Sequence, residues 1–407
     1  MNLVLFTHPD FLGSQSQPRF ARMLLEAYRE RGHLAELRQP APWLRVRLAR
    51  GALAKWAGYV DQYLVFPLAL RRRLAGDPAD TLYVFCDQAL GPWVPRVAHR
   101  PHVVHCHDLL ALRSALGLVP ENPTSATGRL YQRYIRAGFR RARHFISISD
   151  RSRDDLHRYG GVAAVTSEVV YNGLNHAYRP LSADEATLAL RQAGVPAPEG
   201  AFLLHVGGGQ WYKNSAGVVA LYDALARGLQ AAGCAVPALW LVSPEPGPAL
   251  REQLAALPAA CRVRFLSALP APALQALYST AQALLFPSLA EGFGWPIAEG
   301  LACGCTVVTT GEAPMTEVGG DHAHYLPRRR ADEALIAWAE NGAALLMRLL
   351  ERPAEERQLA AEAGRRWAER FDAARAIDRY LQIYAQVLAH EHDGAARPAS
   401  PPKRVRQ

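Results

Sequence analysis

Short apolar runs alternate with amphipathic stretches along almost the whole chain. Leu3 to Phe6 is the first run, followed by the polar, glycine-containing loop THPDFLGSQSQ. Pro18 then stands where a helix would begin, and Phe20, Met23, Leu24, Ala27 and Tyr28 follow at helical spacing. LYVF (82–85) and HVVH (102–105) read as short buried strands, and HFISIS (144–149) follows a basic, helix-like stretch. A second set comprises FLLHV (202–206), ALWLV (238–242), VRFL (263–266), ALLF (283–286) and TVVT (306–309), again separated by helical stretches. Strand–helix alternation of this kind predicts parallel sheets covered by helices on both faces. Proline and glycine accumulate between Tyr171 and Gly200, which places a domain boundary there. The run from Pro353 to His390 is helix-rich, with Leu381, Tyr384 and Leu388 on one face, and the tail DGAARPASPPKRVRQ is predicted disordered.

Length agrees with two domains, because 407 residues exceed one ordinary core. No apolar run of eighteen residues predicts a membrane-spanning helix, and MNLVLFTHPD reads as a first strand rather than a signal peptide. Cys86, Cys106, Cys234 and Cys261 lie singly in apolar segments, where buried thiols are expected. Cys303 and Cys305 lack a second ligand pair at zinc spacing, so a reducing cytoplasm fits best. The net charge of +9 suits nucleic acid, anionic lipid or a phosphorylated ligand alike. Its distribution is more informative. Between Pro42 and Arg73, Arg45, Arg47, Arg50, Lys55 and Arg71 to Arg73 face one acid, Asp61, with Trp43, Trp56, Tyr59, Tyr63 and Phe66 interleaved. Leu53, Trp56, Val60, Tyr63 and Leu64 recur near helical spacing. The segment is either an amphipathic helix for an anionic membrane surface or a stripe packed on its own domain beneath solvated arginines.

Three stretches carry candidate chemistry. In EGFGWPIAE (291–299), Pro296 suits a first helical turn, so Glu291 falls in a loop and Glu299 about one turn into a helix. A continuous helix would set the two carboxylates about 12 Å apart and roughly 80° out of phase. With a loop in front, both can face one crevice with the helix N-terminus between them. Gly292 and Gly294 would let backbone N–H groups approach a phosphate, while carboxylates accept hydroxyls. The array suits a nucleotide diphosphate sugar; the structural alternative is a dipole-complementing Glu299 and a solvated Glu291. In HVGGGQWYKN (205–214), Tyr212 before Lys213 breaks the Walker A pattern, and no third glycine completes a dinucleotide fingerprint. A glycine turn through Gly208 and Gly209 plus one cation remains, suited to a diphosphate; a plain surface lysine is the alternative. In HCHDLLALRS (105–114), alternation sets His105 and His107 on one side of a strand end, either as substrate contacts or as satisfied structural histidines.

PSLAEGFGWPIAEGLACGCTVV (287–308) resembles the Glu-x7-Glu signature of the retaining glycosyltransferase family 4, of GT-B fold. The similarity extends through LGSQSQPRFARMLLEAYRERGH, CHD at 106–108, VVYNGLN at 169–175, VGGGQWYKN and GEAPMTEVGGDHAHYLP at 311–327. It implies two Rossmann-like domains facing a cleft: an acceptor-side domain over 1–175, a nucleotide-sugar domain over 176–375, and a C-terminal helix over 376–392 that crosses back to the first domain, with a basic tail over 393–407. It also implies roles. Glu291 would hold hydroxyls of the transferred hexose, helped by amides around Gly292, Phe293 and Gly294, and Glu299 would hold the ribose. Lys213 would neutralise the departing diphosphate, His107 would contact the donor sugar, and Gly13 would let its loop approach. Many members carry an arginine five residues before the lysine, where this chain has Gly208. The resemblance implies no metal or other cofactor and retention of configuration. With the basic segment it gives the leading expectation: a cytoplasmic, peripherally membrane-associated enzyme moving a hexose to a glycan or lipid-linked acceptor in cell-surface or exopolysaccharide assembly. The alternatives are a GT-B enzyme with a soluble acceptor (a disaccharide synthase or phosphorylase) and a non-catalytic sugar-nucleotide or polyanion binder. Nucleic acid is not an expected partner, since it has no need of paired carboxylates.

Overall fold

The computed structural model describes residues 1–12, 16–48 and 52–396. Two six-stranded sheets organise the chain. The first contains β1 (Asn2–Phe6), β2 (Leu34–Arg38), β3 (Leu82–Phe85), β4 (His102–Cys106), β5 (His144–Ser147) and β6 (Thr166–Val169), in the order 2-1-3-4-5-6. The second contains β7 (Phe202–Val206), β8 (Ala238–Val242), β9 (Val263–Leu266), β10 (Ala283–Phe286), β11 (Val307–Thr310) and β12 (His324–Leu326), in the order 12-11-10-7-8-9. Neighbouring strands in both sheets are parallel. The architecture is the expected two-domain α/β one.

The central strands are buried on both faces, which is why they read as unbroken apolar runs. Those that periodicity misses are the edges β2, β6 and β12, where exposed or half-exposed polar residues interrupt the pattern. β11 begins one residue later than TVVT suggests. Each sheet carries an apolar core on both faces. The final helix, Ala373–Ala396, packs Ile377, Tyr380, Ile383, Tyr384 and Val387 against Leu3, Leu5, Phe20 and Leu24 of the first domain. It therefore crosses back as the GT-B resemblance implies. Its helical backbone also includes 393–396, which the sequence reading assigned to a disordered tail; residues 397–407 of that tail lie outside the described residues. Of the cysteines expected to be buried, Cys86 and Cys106 are, but Cys234 is exposed and Cys261 half-buried.

Candidate functional site

The strand order of the second sheet reverses between β7 and β10, and a crevice opens beyond the carboxyl ends of strands at such a point. The loops leaving these two strands carry Lys213 and Glu291. After β7 the chain turns so tightly that a side chain on Gly207 would stand 2.7 Å from the His205 ring and 3.3 Å from Lys213 Cβ. Trp211–Lys213 forms one 3-10 turn, and Asn214 follows at φ 55°, a left-handed conformation that asparagine tolerates. Its side chain caps the Ser215–Ala231 helix by accepting from Gly217 N at 3.2 Å. It also donates to the Pro287 carbonyl at 3.0 Å, tying the first loop to the second. The result is an ion pair across the crevice: Lys213 Nζ lies 2.8 Å from Glu291 Oε1, with side chains 13% and 8% exposed. The ammonium also sits 4.7 Å from the Phe286 ring centre.

Beyond Glu291 the chain enters the Trp295–Ala302 helix through Gly294, whose φ of 100° favours glycine, and Pro296 lies in the first turn. No side chain caps this helix. Glu299 is buried, and its Oε2 accepts from the Tyr278 hydroxyl at 2.8 Å. Burial pushes its carboxyl up to about 7, against the pull of Tyr278, Tyr178, Lys213 and Arg19. Glu291 and Glu299 are thus differently equipped. One is paired with a cation at the crevice mouth, while the other is a desolvated acceptor among tyrosines.

The first domain closes the other wall. His107 lies just beyond β4, its backbone N–H donating to Gln88 Oε1 at 2.9 Å and its Nε2–H to the Cys86 carbonyl at 2.8 Å. That bond fixes the tautomer, leaving Nδ1 as an acceptor, and burial lowers the pKa of the ring. A Cβ on Gly292 would stand 2.6 Å from the His107 carbonyl. Gly292 therefore permits the two domains to touch at this point. The Ser149 hydroxyl donates to the Gly292 carbonyl at 2.9 Å, and the Ser152 hydroxyl to the His107 carbonyl at 2.8 Å. Glu317 of the second domain accepts from the backbone N–H groups of Asp150 and Arg151 at 2.8 and 2.9 Å. Asp108, half-buried beside these groups, has its carboxyl raised to about 6, chiefly by desolvation and then by the charges of Asp87 and Glu291.

Phe293 is a core side chain, packed against Phe371 and Trp295, so only its backbone can face a ligand. His105 is structural: buried, its Nε2 bonds the Tyr384 hydroxyl at 2.7 Å, and burial lowers it to about 3. Gly13 lies outside the described residues. Gly209 is left-handed at φ 77°, and over Gly208 lies the Gln210 side-chain amide, 2.6 Å from where a Cβ would stand. The sequence reading passed over Gln210, Tyr278, Ser149 and Glu317. None has a spacing signal, because each acts through a contact distant in sequence or through a loop. One cluster of metal-ligand type occurs among the described residues, formed by His144, His390 and Glu391. It sits at the amino end of β5, away from the crevice, with Glu391 already paired to His144 at 2.8 Å and to Arg143.

The basic segment forms three successive helical pieces, Ala52–Val60, a π-turn Asp61–Val65, and Phe66–Leu74, preceded by Trp43–Leu48. Its one acid is buried: Asp61 accepts from Leu44 N at 2.9 Å and Arg45 N at 3.0 Å, capping the Trp43–Leu48 helix. Trp43, Val46, Leu53, Trp56, Leu64 and Leu68 are each more than half exposed, and Leu130 of the neighbouring Ala126–Phe139 helix is 67% exposed. Tyr63 joins the two elements by a 2.6 Å hydroxyl contact to Tyr131.

Comparison with known proteins follows the same division of the chain. Residues 17–178 match the family model described as Glycosyltransferase Family 4, and residues 201–343 match that described as Glycosyl transferases group 1. Each of the two domains thus has its own glycosyltransferase family match. Its sequence is 24% identical, over 75% of its length and 71% of the other, to the 2-deoxystreptamine N-acetyl-D-glucosaminyltransferase of Streptomyces fradiae. A 59-residue stretch is 41% identical to the O-antigen chain mannosyltransferase B of Escherichia coli, spanning 14% of this chain and 16% of that one. Among solved structures, the sucrose-phosphate synthase of Thermosynechococcus elongatus superposes with TM-score 0.70 at 18% identity, covering 96% of this chain and all of that one. HepE of Anabaena in complex with UDP superposes with TM-score 0.67 at 19% identity, covering 95% and 100%. The loops after β7 and β10 thus fall within the group 1 match, and the His107 wall within the family 4 match.

Proposed function

We propose that the chain is a retaining glycosyltransferase that moves a hexose from a nucleotide diphosphate sugar to a glycan or lipid-linked acceptor in cell-surface or exopolysaccharide assembly. The observation that carries this reading is the Lys213–Glu291 pair at the switch point with Glu299 one helical turn beyond. Glu291 accepts hydroxyls of the hexose, Glu299 accepts those of the ribose, and Lys213 swings to the diphosphate between them. Gln210 and Arg19 stand in for the arginine absent at Gly208: the amide offers N–H donors beside the glycine turn, and Arg19 adds positive charge toward Glu299. His107 bounds the hexose from the first domain.

In the transfer the bond between the anomeric carbon and the diphosphate oxygen breaks, and a bond from that carbon to the acceptor oxygen forms on the same face. The acceptor's hydroxyl proton passes to the leaving phosphate oxygen. Developing charge on that phosphate is the main electrostatic demand, which Lys213 and the uncapped Trp295–Ala302 helix N-terminus answer without a metal. Thermal shifts against UDP-, GDP- and ADP-sugars test the reading, because native-state binding raises stability as ln(1 + [L]/Kd). One nucleotide class should stabilise the protein and be turned over; stabilisation without any turnover leaves a non-catalytic binder.

The exposed Trp43, Val46, Leu53, Trp56, Leu64 and Leu68, rimmed by Arg47 and Arg71 to Arg73, support a docking face for the anionic inner surface of a membrane. No described helix is long and apolar enough to cross one. Flotation with anionic vesicles should carry the protein up, and neutral vesicles should not. A protein that stays at the bottom with both favours a soluble acceptor.

A further inference from the structure

A cavity of about 500 Å³ opens between the domains on the far side of Glu291. Of the residues assigned above to the donor, only Glu291 lines it; His107, Lys213 and Glu299 do not. Its walls come from both domains, including Arg113 and Glu121 of the first and Trp211 and Arg328 of the second. Glu121 bridges them: its Oε1 accepts from Arg328 at 2.7 Å, with the carboxylate side chain only 10% exposed. Its other oxygen, Oε2, is buried and has no partner among the described residues. Arg113 presents the complementary orphan. One of its terminal nitrogens reaches Asp155 at 3.3 Å, but its buried Nε–H is unpartnered. Both residues line this cavity, and a buried carboxylate oxygen and a buried guanidinium N–H without partners are costly unless a small shift of the side chains lets a ligand complete them.

The lining also states what kind of ligand fits. Four guanidinium groups are balanced by four carboxylates, so the cavity offers no net charge to a phosphate. Its lining holds instead a carboxylate and a guanidinium with unused hydrogen-bonding capacity, and the Trp211 side chain beside them for an apolar ring surface. Sugar rings combine hydroxyls that donate and accept with flat C–H faces. We propose that this cavity is the subsite for the acceptor, and that it takes an uncharged, unphosphorylated sugar. Glu121 Oε2 accepts one of its hydroxyl protons and Arg113 Nε–H donates to another of its oxygens. The inference rests on the glycosyltransferase reading and specifies the substrate class on its acceptor side.

The test uses methyl glycosides of glucose, mannose, galactose and N-acetylglucosamine, each beside its 6-phosphate. Saturation-transfer NMR reads their contact with the full-length protein without any donor. Nucleoside diphosphate release, with the donor selected by thermal shift, reads transfer. At least one neutral glycoside should show contact and stimulate release more than its phosphate. Glu121→Gln should raise the glycoside KM at least tenfold while moving the donor KM far less. Arg113→Lys, which keeps the charge toward Asp155 but removes the Nε–H, should raise it several-fold and guards against a misfolded Glu121 variant. Preference for the phosphates, no glycoside contact in the parent protein, or an unchanged glycoside KM in both variants would overturn the subsite. Glycoside contact that depends on Glu121, in a protein that neither binds nor turns over any nucleotide sugar, would keep the subsite and remove the glycosyltransferase reading.

Discussion

The two walls of the crevice do their work with different parts of the residue. The second domain presents side chains: Lys213 against Glu291, and Glu299 against Tyr278. Around Gly292 and Glu317 the first domain meets it through backbone groups and the hydroxyls that bond them, with the His107 carbonyl, the Ser152 hydroxyl and the Asp150 and Arg151 N–H groups at the contact. Where side chains act, a residue type must appear at a given spacing, and the motif is visible in sequence. Where the backbone acts, only shape is required and the sequence is freer to vary. This is why EGFGWPIAE announces itself and the Ser149–Gly292 contact does not.

Substitution on the side-chain wall should have the largest effects. Lys213→Ala and Glu291→Ala each remove a charge from a site only about a tenth open to water. Turnover should fall about 10²–10³-fold in steady-state assays, with the circular dichroism spectrum unchanged. Glu299→Gln should come next, weakening nucleoside diphosphate binding about tenfold or more. It should also change the pH profile. The Glu299 carboxyl is raised to about 7 in the folded protein from an ordinary value of 4.5. Its contribution to stability is therefore fully present below about 4.5 and lost as pH rises through about 7. Affinity for the ribose should run the other way, growing as the carboxylate forms, and both trends should flatten in the glutamine variant.

On the backbone wall, Gly292→Ala drives a methyl into the His107 carbonyl and should open the contact between domains. A loss of about tenfold in kcat/KM is expected, with nucleoside diphosphate affinity nearly unchanged in calorimetry. The smallest effect on transfer belongs to Tyr384→Phe, which leaves the buried His105 Nε2 without its partner. Thermal unfolding should show a cost of about 1–3 kcal/mol while donor affinity stays the same.

Much of the fold was legible because the central strands are buried on both faces and the helices between them keep a clear period. The edges β2, β6 and β12 were not, since Glu36, Ser167, Glu168 and His324 break the apolar run where one side meets water. In the site, Lys213, Glu291 and Glu299 were found by spacing. Their pairing was not, because the Asn214–Pro287 bond that aligns the two loops joins residues 73 positions apart. Gly292 was noticed as a glycine that gives room, and the group that takes up that room in the structure is the His107 carbonyl. A glycine's need for space is readable in sequence, but the atom that fills the space is not.

Isothermal titration with UDP and UDP-glucose, or with the GDP or ADP pair if thermal shift selects it, tests most directly which end of the donor each carboxylate holds. Glu291→Gln should keep the nucleoside diphosphate affinity, or raise it as Lys213 is released, and lose the extra affinity that the sugar confers. Glu299→Gln should weaken both ligands by the same factor. Equal losses for both ligands in both variants, or the reverse assignment, would contradict the account.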